Sequence, residues 1–333
     1  RVFRTALRFL GGREEPATLA VFHGLVPNQG DAWSFTLDAL QQLLEVELVE
    51  RRPAPEPWTQ GLLQRARAAV TDAEGAEFAF YLEMTRILGR RTGEMHLALA
   101  RSEEPAFAPE RSTPFGQRSF YQSLRNLAGR SLDTLRAQLP HLEGDAAEAA
   151  PRVLAREEEI RAQLHRILAC QGGSRIRIHG DFHLGQVLFT GRDFQIIDFE
   201  GEPARSLSER RRKRSPLVDV AGMLRSFHYA AEMSLQGHGP GGPRSAEEAS
   251  GLRPWTRHWL DTVSAAFLRS WLQELDSSGL LPGDDADLDA LLRVYLLEKA
   301  LYELGYELDN RPDWVGIPLR GLLDVMEGAE STP

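Results

Sequence analysis

Two short apolar strands, each running into a carboxylate, constrain this chain more than anything else in it. The first leads into Ile178-His179-Gly180-Asp181-Phe182-His183-Leu184-Gly185-Gln186, and the second is Ile196-Ile197-Asp198-Phe199-Glu200. Between them, Val187 to Phe189 and Phe194 to Ile197 flank Thr190-Gly191-Arg192-Asp193, a turn sequence that predicts a hairpin. Ile176 and Ile178 alternate with arginines, so residues 175–200 read as a strand segment. Its surroundings read as helix. Apolar residues at spacings of three to five, such as Leu124, Leu127, Leu132 and Leu135, run from the Pro53, Pro55, Pro57 spacer to about Cys170. A Pro- and Ser-rich loop at 102–116 interrupts them, and helical spacing resumes at 216–236, 253–276 and 285–308. Upstream, residues 1–10 and Leu19 to Val26 predict one hairpin turning at Gly11-Gly12. Pro27 to Asp31 breaks it, and Asp31 can cap a helix starting near Trp33. The Gly/Pro-rich stretch 237–243 predicts a flexible connector. The class expected is α+β.

The spacing carries chemistry. Asp181 and Gln186 are 5 positions apart, and Asp198 follows Gln186 by 12. This is the arrangement of a kinase catalytic loop and metal strand, in which an Asp accepts the acceptor hydroxyl proton and an amide and a second carboxylate hold magnesium. A phosphoryl group in transfer carries diffuse negative charge, so carboxylates approach ATP only with a cation between them. Asp181 is therefore the candidate catalytic base, and Gln186 and Asp198 are the candidate magnesium ligands. Glu200 projects to the same face as Asp198 if the strand continues, and either touches a second metal or bonds the loop. His179 and His183 read as structural. Asp219, at a helix start, reads as a buttress of the loop. The basic run Glu209 to Arg214 reads as solvated.

Three further segments turn these motifs into a resemblance. Ser215-Pro216-Leu217-Val218-Asp219-Val220-Ala221-Gly222, Val26 to Trp33 and Leu297 to Glu307, taken with the two motifs, resemble the bacterial maltokinases. These are a branch of the aminoglycoside-phosphotransferase-like, protein-kinase-like enzymes, often fused to trehalose synthase. The branch carries Gln where the wider superfamily has Asn, as at Gln186. The resemblance implies ATP- and Mg2+-dependent phosphorylation of maltose to maltose 1-phosphate, with maltose, ATP and trehalose synthase as partners. It implies a helical C-terminal lobe over 31–333 and, at 1–30, the remnant of a β-rich N-terminal lobe with its hinge, an incomplete lobe whose remainder is expected upstream. His23, Gly24, Leu25 and Val26 would meet the adenine there. Lys299, Tyr302 and Tyr306 share one helix face and would bind the sugar, with Trp314 and Arg320 beyond them. His96, Trp255, Trp259 and Trp271 are assigned to packing.

Composition narrows the alternatives. A formal charge of −9 argues against nucleic acid as a partner. No apolar run approaches the ~18 residues of a membrane span. The single Cys170 excludes a disulfide and a thiolate cluster, and fits the cytoplasm. The only lysines, Lys213 and Lys299, both follow the metal strand, so the lysine that anchors ATP phosphates in protein-kinase-like enzymes is not in its usual place. The rival readings are a kinase for an aminoglycoside or amino alcohol, which would need an acidic acceptor site, a glycosidase with paired carboxylates, and a binding module that lacks catalysis.

Overall fold

The computed structural model describes residues 5–9, 17–22, 24–68, 70–237 and 244–330. Strands β1 (Thr5–Phe9) and β2 (Ala17–Phe22) form an antiparallel pair in which Thr5 faces Phe22. The predicted Gly11-Gly12 turn and His23 lie outside the described residues, as do 238–243 of the predicted connector. Gly24 to Val26 is irregular rather than strand, with Leu25 94% exposed. Gln29 N donates to Phe189 O at 2.8 Å and Phe189 N to Gly30 O at 2.9 Å, so the entry segment zips onto the later hairpin.

Helix α1 (Ala32–Glu50) begins where Asp31 accepts from Ser34 N at 2.8 Å. It ends at Arg51, whose left-handed backbone (φ 50°) and the prolines beyond forbid another turn. After α2 (Leu62–Ala68), a 3-10 turn over Asp72–Phe78 opens on a Thr71/Glu74 capping box and leads into α3 (Ala79–Ala100). The predicted loop at 102–116 is shorter than expected. It holds β3 (Glu110–Arg111), and α4 (Pro114–Gln138) starts at Pro114 because Thr113 caps Gly116 N at 3.1 Å. Helices α5 (Gly144–Ala155) and α6 (Glu157–His165) follow.

The segment predicted as strands is sparser than its alternation implies. β4 (Ser174–Arg175) pairs with β3, and Ile176 makes a lone bridge to Arg214. β5 (Val187–Phe189) and β6 (Phe194–Ile196) form the predicted hairpin, with Gly191 at φ 90° in its turn. Arg91 of α3 grips Asp193 in that turn with two hydrogen bonds, 2.9 and 2.7 Å, fixing the hairpin to the helices. Four helices follow α7 (Leu207–Arg210): α8 (Leu217–Leu235), α9 (Ala246–Leu275), α10 (Asp285–Asn310) and α11 (Gly316–Glu330). The last of these was not expected from the sequence.

Helix α8 is the axis of the core. Every residue of it except Val218 and Tyr229 is buried, because α1, α9, α10 and α11 enclose it. Trp259, Trp271, Phe227 and Phe267 are the largest fully buried side chains, in keeping with the packing role expected of the tryptophans. Gly89 and Gly93 bring α3 onto α9; a Cβ at Gly89 would stand 2.3 Å from Phe267 O. No helix among the described residues is long and apolar enough to cross a membrane.

Candidate active site

The loop carrying Asp181 is mounted on one face of α8. Asp219 accepts from His179 N at 2.8 Å and from Gly180 N at 2.9 Å. Ser226 Oγ accepts from Leu184 N at 3.1 Å. Gly222, between them, leaves room for Phe182 O, which a Cβ would meet at 2.5 Å. Positions 219, 222 and 226 recur at helical spacing, so a single helix face holds the whole loop. Asp219 is itself fully buried, and His96 Nε2 stands 3.1 Å from its carboxylate. Trp271 donates to His96 Nδ1 at 2.9 Å, which leaves the His96 proton on Nε2 for Asp219. Burial works against the Asp219 charge, but His96 and the Gly180 amide outweigh it and hold this carboxyl below its usual range. The sequence pointed to Asp219 as a buttress; the part His96 plays in it carried no local signal.

The two motifs meet as their spacing requires. Ile197 N donates to Gln186 O at 3.0 Å, and His179 Nε2 donates to Ile197 O at 2.7 Å. Gln186 Nε2 lies 3.2 Å from Asp198 Oδ2. Asp198 takes a left-handed backbone (φ 61°), costly for a non-glycine residue and a frequent mark of functional strain. It aims the carboxylate back toward Gln186 instead of along the strand. Among the described residues no group of three or more His, Cys, Asp or Glu gathers as a metal site. An amide and one carboxylate suit magnesium, which takes one or two protein oxygens and completes its shell with phosphates and water. Glu200 is exposed and turned to Arg210, 3.7 Å away. His183 Nδ1 accepts from Gly185 N at 3.1 Å and its Nε2 lies 3.9 Å from Asp181. Burial pushes the His183 imidazole down, against the pull of Asp181.

Asp181, with its side chain 17% exposed, borders a cleft of about 760 Å³ that also takes in Lys299 and Tyr302 of α10. The Lys299 ammonium stands 5.3 Å from the Tyr302 ring centre. Burial, with help from the Glu202 carboxylate, pushes the Tyr302 phenol up to about 12. Tyr306, a turn further on, is outside the cleft lining, and Arg311 stacks on its ring at 5.5 Å. Trp314 and Arg320 are outside the cleft lining as well: Arg320 bonds Asp145 and Glu232, and Trp314 packs against Arg311. The run 209–214, expected to be solvated, is only partly so. Lys213 is nearly buried, bonding Pro105 O at 2.6 Å and Glu110 at 2.8 Å, and Arg214 pairs with Glu298 of α10 at 2.6 Å. Paired with Glu110 and Glu298, these cations tie the loop to its neighbours. Sequence reasoning singled out no carboxylate at the acceptor end, yet Glu202 lines the cleft there.

A family model described as Phosphotransferase enzyme family matches residues 38–237, and the chain belongs to that family. Among curated proteins it is similar to a glucosamine kinase of Streptacidiphilus jiangxiensis, 26% identical over 94% of this chain and 58% of the relative. It is also similar to a glucosamine kinase of Mycolicibacterium smegmatis (strain ATCC 700084 / mc(2)155), 24% identical over 84% of this chain and 62% of the relative. The chain thus spans about three fifths of these relatives. A solved glucosamine kinase in complex with glucosamine, ADP and inorganic phosphate shares the fold, with a TM-score of 0.69 at 22% identity, covering 95% of this chain and 65% of that one. These likenesses support the wider superfamily expected from the motifs and do not single out its maltokinase branch.

Proposed function

We propose that this member of the phosphotransferase enzyme family transfers the γ-phosphoryl group of ATP to a hydroxyl of a sugar, and that the sugar is an amino sugar of the glucosamine type. The observation that carries the reading is the contact of Gln186 with Asp198 beside the loop whose Asp181 borders a cleft large enough for a sugar. Asp181 accepts the proton of the acceptor hydroxyl as its oxygen attacks the γ-phosphorus, and ADP leaves from the opposite side. Gln186, through its amide oxygen, and Asp198 would hold magnesium, which would neutralise phosphate charge. Lys299 and Tyr302 orient the sugar, and the backbone at Gly24 to Val26 receives the nucleotide base. The glucosamine kinase relatives favour an amino sugar.

Maltose is the second acceptor reading. The segments Val26 to Trp33 and Leu297 to Glu307 favour it, and a cleft of about 760 Å³ has room for a second ring. Initial rates of ADP release are measured with magnesium and ATP against glucosamine, glucose and maltose. A kcat/KM highest for glucosamine supports the first reading, and one highest for maltose replaces it with the second. No sugar-dependent release with any of them, in the presence of bound nucleotide, removes both.

A further inference from the structure

We infer that Glu202 determines acceptor specificity, its carboxylate receiving the ammonium group of the amino sugar; this rests on the sugar-kinase reading above. The segment that carries it is built against the catalytic loop. Gly201 is buried with φ 76°, and its Cα would lie 3.5 Å from a Cβ at Gly180, so the two glycines touch. Both glycines take left-handed backbone, φ 86° at Gly180 and 76° at Gly201, which a residue with a side chain adopts only at a cost. Glu202 is one residue from Gly201 just as Asp181 is one residue from Gly180, and both acids line the same cleft.

The segment is also rigid. Arg210 packs along Gly201, its Nε donates to Arg205 O at 2.9 Å and its Nη2 to Pro203 O at 2.9 Å. Arg205 N donates to Glu202 O at 3.0 Å, closing a tight turn headed by Glu202. Ala204 N reaches the Glu202 carboxylate at 3.4 Å, which leaves acceptor capacity on its oxygens. The Glu202 charge is felt across the cleft at Tyr302. Of the other carboxylates lining the cleft, Asp181 is committed to the attacked hydroxyl, Glu298 is matched by Arg214, Glu209 is bonded by Ser206 N and Oγ, and Asp219 is occupied by the amides of His179 and Gly180. A cationic acceptor therefore has one carboxylate available to it here, positioned before it binds.

The test compares glucosamine with glucose, which differ at the amino group, in the wild-type chain and in Glu202→Gln. The amide keeps the shape and loses the charge. The ratio of kcat/KM for glucosamine over glucose is expected to fall by roughly tenfold to a hundredfold, chiefly through KM for glucosamine. Glu202→Asp is expected to restore part of the ratio. Equilibrium binding of both sugars is measured on the same proteins, so a chain that binds without turnover still answers. A wild-type preference for glucosamine that survives in Glu202→Gln overturns the assignment of Glu202 alone. An equal fall for both sugars overturns it as well, and makes the residue a support of the catalytic loop. A wild-type chain that does not distinguish the sugars overturns the amino-sugar reading itself.

Discussion

Asp181 owes its candidacy to position and neighbours together: it follows a glycine in a left-handed turn (φ 86°), within reach of His183 and at the edge of the cleft. Asp181→Asn is expected to lower kcat by roughly 10²–10⁴-fold while nucleotide affinity stays near the wild-type value. Steady-state kinetics beside nucleotide titration checks this, and near-normal turnover would reject the base. Asp198→Ala should instead remove the magnesium dependence of nucleotide binding, which titration at several magnesium concentrations reads directly. Asp219 acts one step back. Its two oxygens serve two loop amides and His96, and Asp219→Asn replaces one acceptor with a donor that faces other donors. A loss of about 1–3 kcal/mol in urea unfolding is expected, with a fall in kcat because Asp181 loses its mounting. Unchanged stability would mean that the loop is held elsewhere.

At the scale of elements, glycines decide how closely helices approach the working parts. Gly222 lets α8 touch the catalytic loop at Phe182 O, and Gly89 lets α3 touch α9 at Phe267 O. Overpacking either contact by one methyl should cost about 1–3 kcal/mol. The consequences should diverge, because only Gly222 lies under the site. Gly222→Ala is expected to lower the kcat of the folded fraction, and Gly89→Ala to leave it close to wild type. Denaturation midpoints paired with kcat per folded molecule separate the two. Equal kcat values in both variants would refute the claim that α8 sets the loop position. The ion pair between Arg214 and Glu298 has a comparable place, since it joins the loop after the metal strand to the helix that bears Lys299 and Tyr302.

For the whole molecule, two of the carboxyls held below their usual range, Asp219 and Asp324, are deeply buried and bear on acid stability. Burial opposes the charge of each, but partners win: His96 and Gly180 at Asp219, His228 and Arg257 at Asp324, whose pKa is brought down to about 2. A carboxyl depressed in the folded state adds stability that is complete above its unfolded value of about 3.9 and is lost as pH falls through the folded value. Unfolding free energy should therefore drop between about pH 5 and pH 2. Asp324→Asn should show a shallower drop over the same interval in urea titrations at successive pH values. An identical slope would take Asp324 out of the account.

The local facts of this chain were legible without a structure. The Asp181, Gln186 and Asp198 spacing, the Thr190 to Asp193 turn and the Asp31 cap each depend on neighbours within a few residues, and backbone geometry alone fixes what such neighbours do. Buried helices were equally readable from spacing, except α11, where Pro318 and two glycines, Gly316 and Gly321, mask a pattern that packing against α5, α8 and α10 overrides. What spacing cannot encode is a meeting between distant segments. His96 supports Asp219 across 123 positions, Lys213 and Arg214 are drawn inward by Glu110 and Glu298, and Tyr306 is separated from Tyr302 by the edge of the cleft although both share a helix face. The same holds for Glu202, an ordinary loop glutamate in sequence. It shares a cleft with Asp181 where two glycines, 21 positions apart, lie side by side, and such contacts are set by the packing of whole elements rather than by any local preference of the chain.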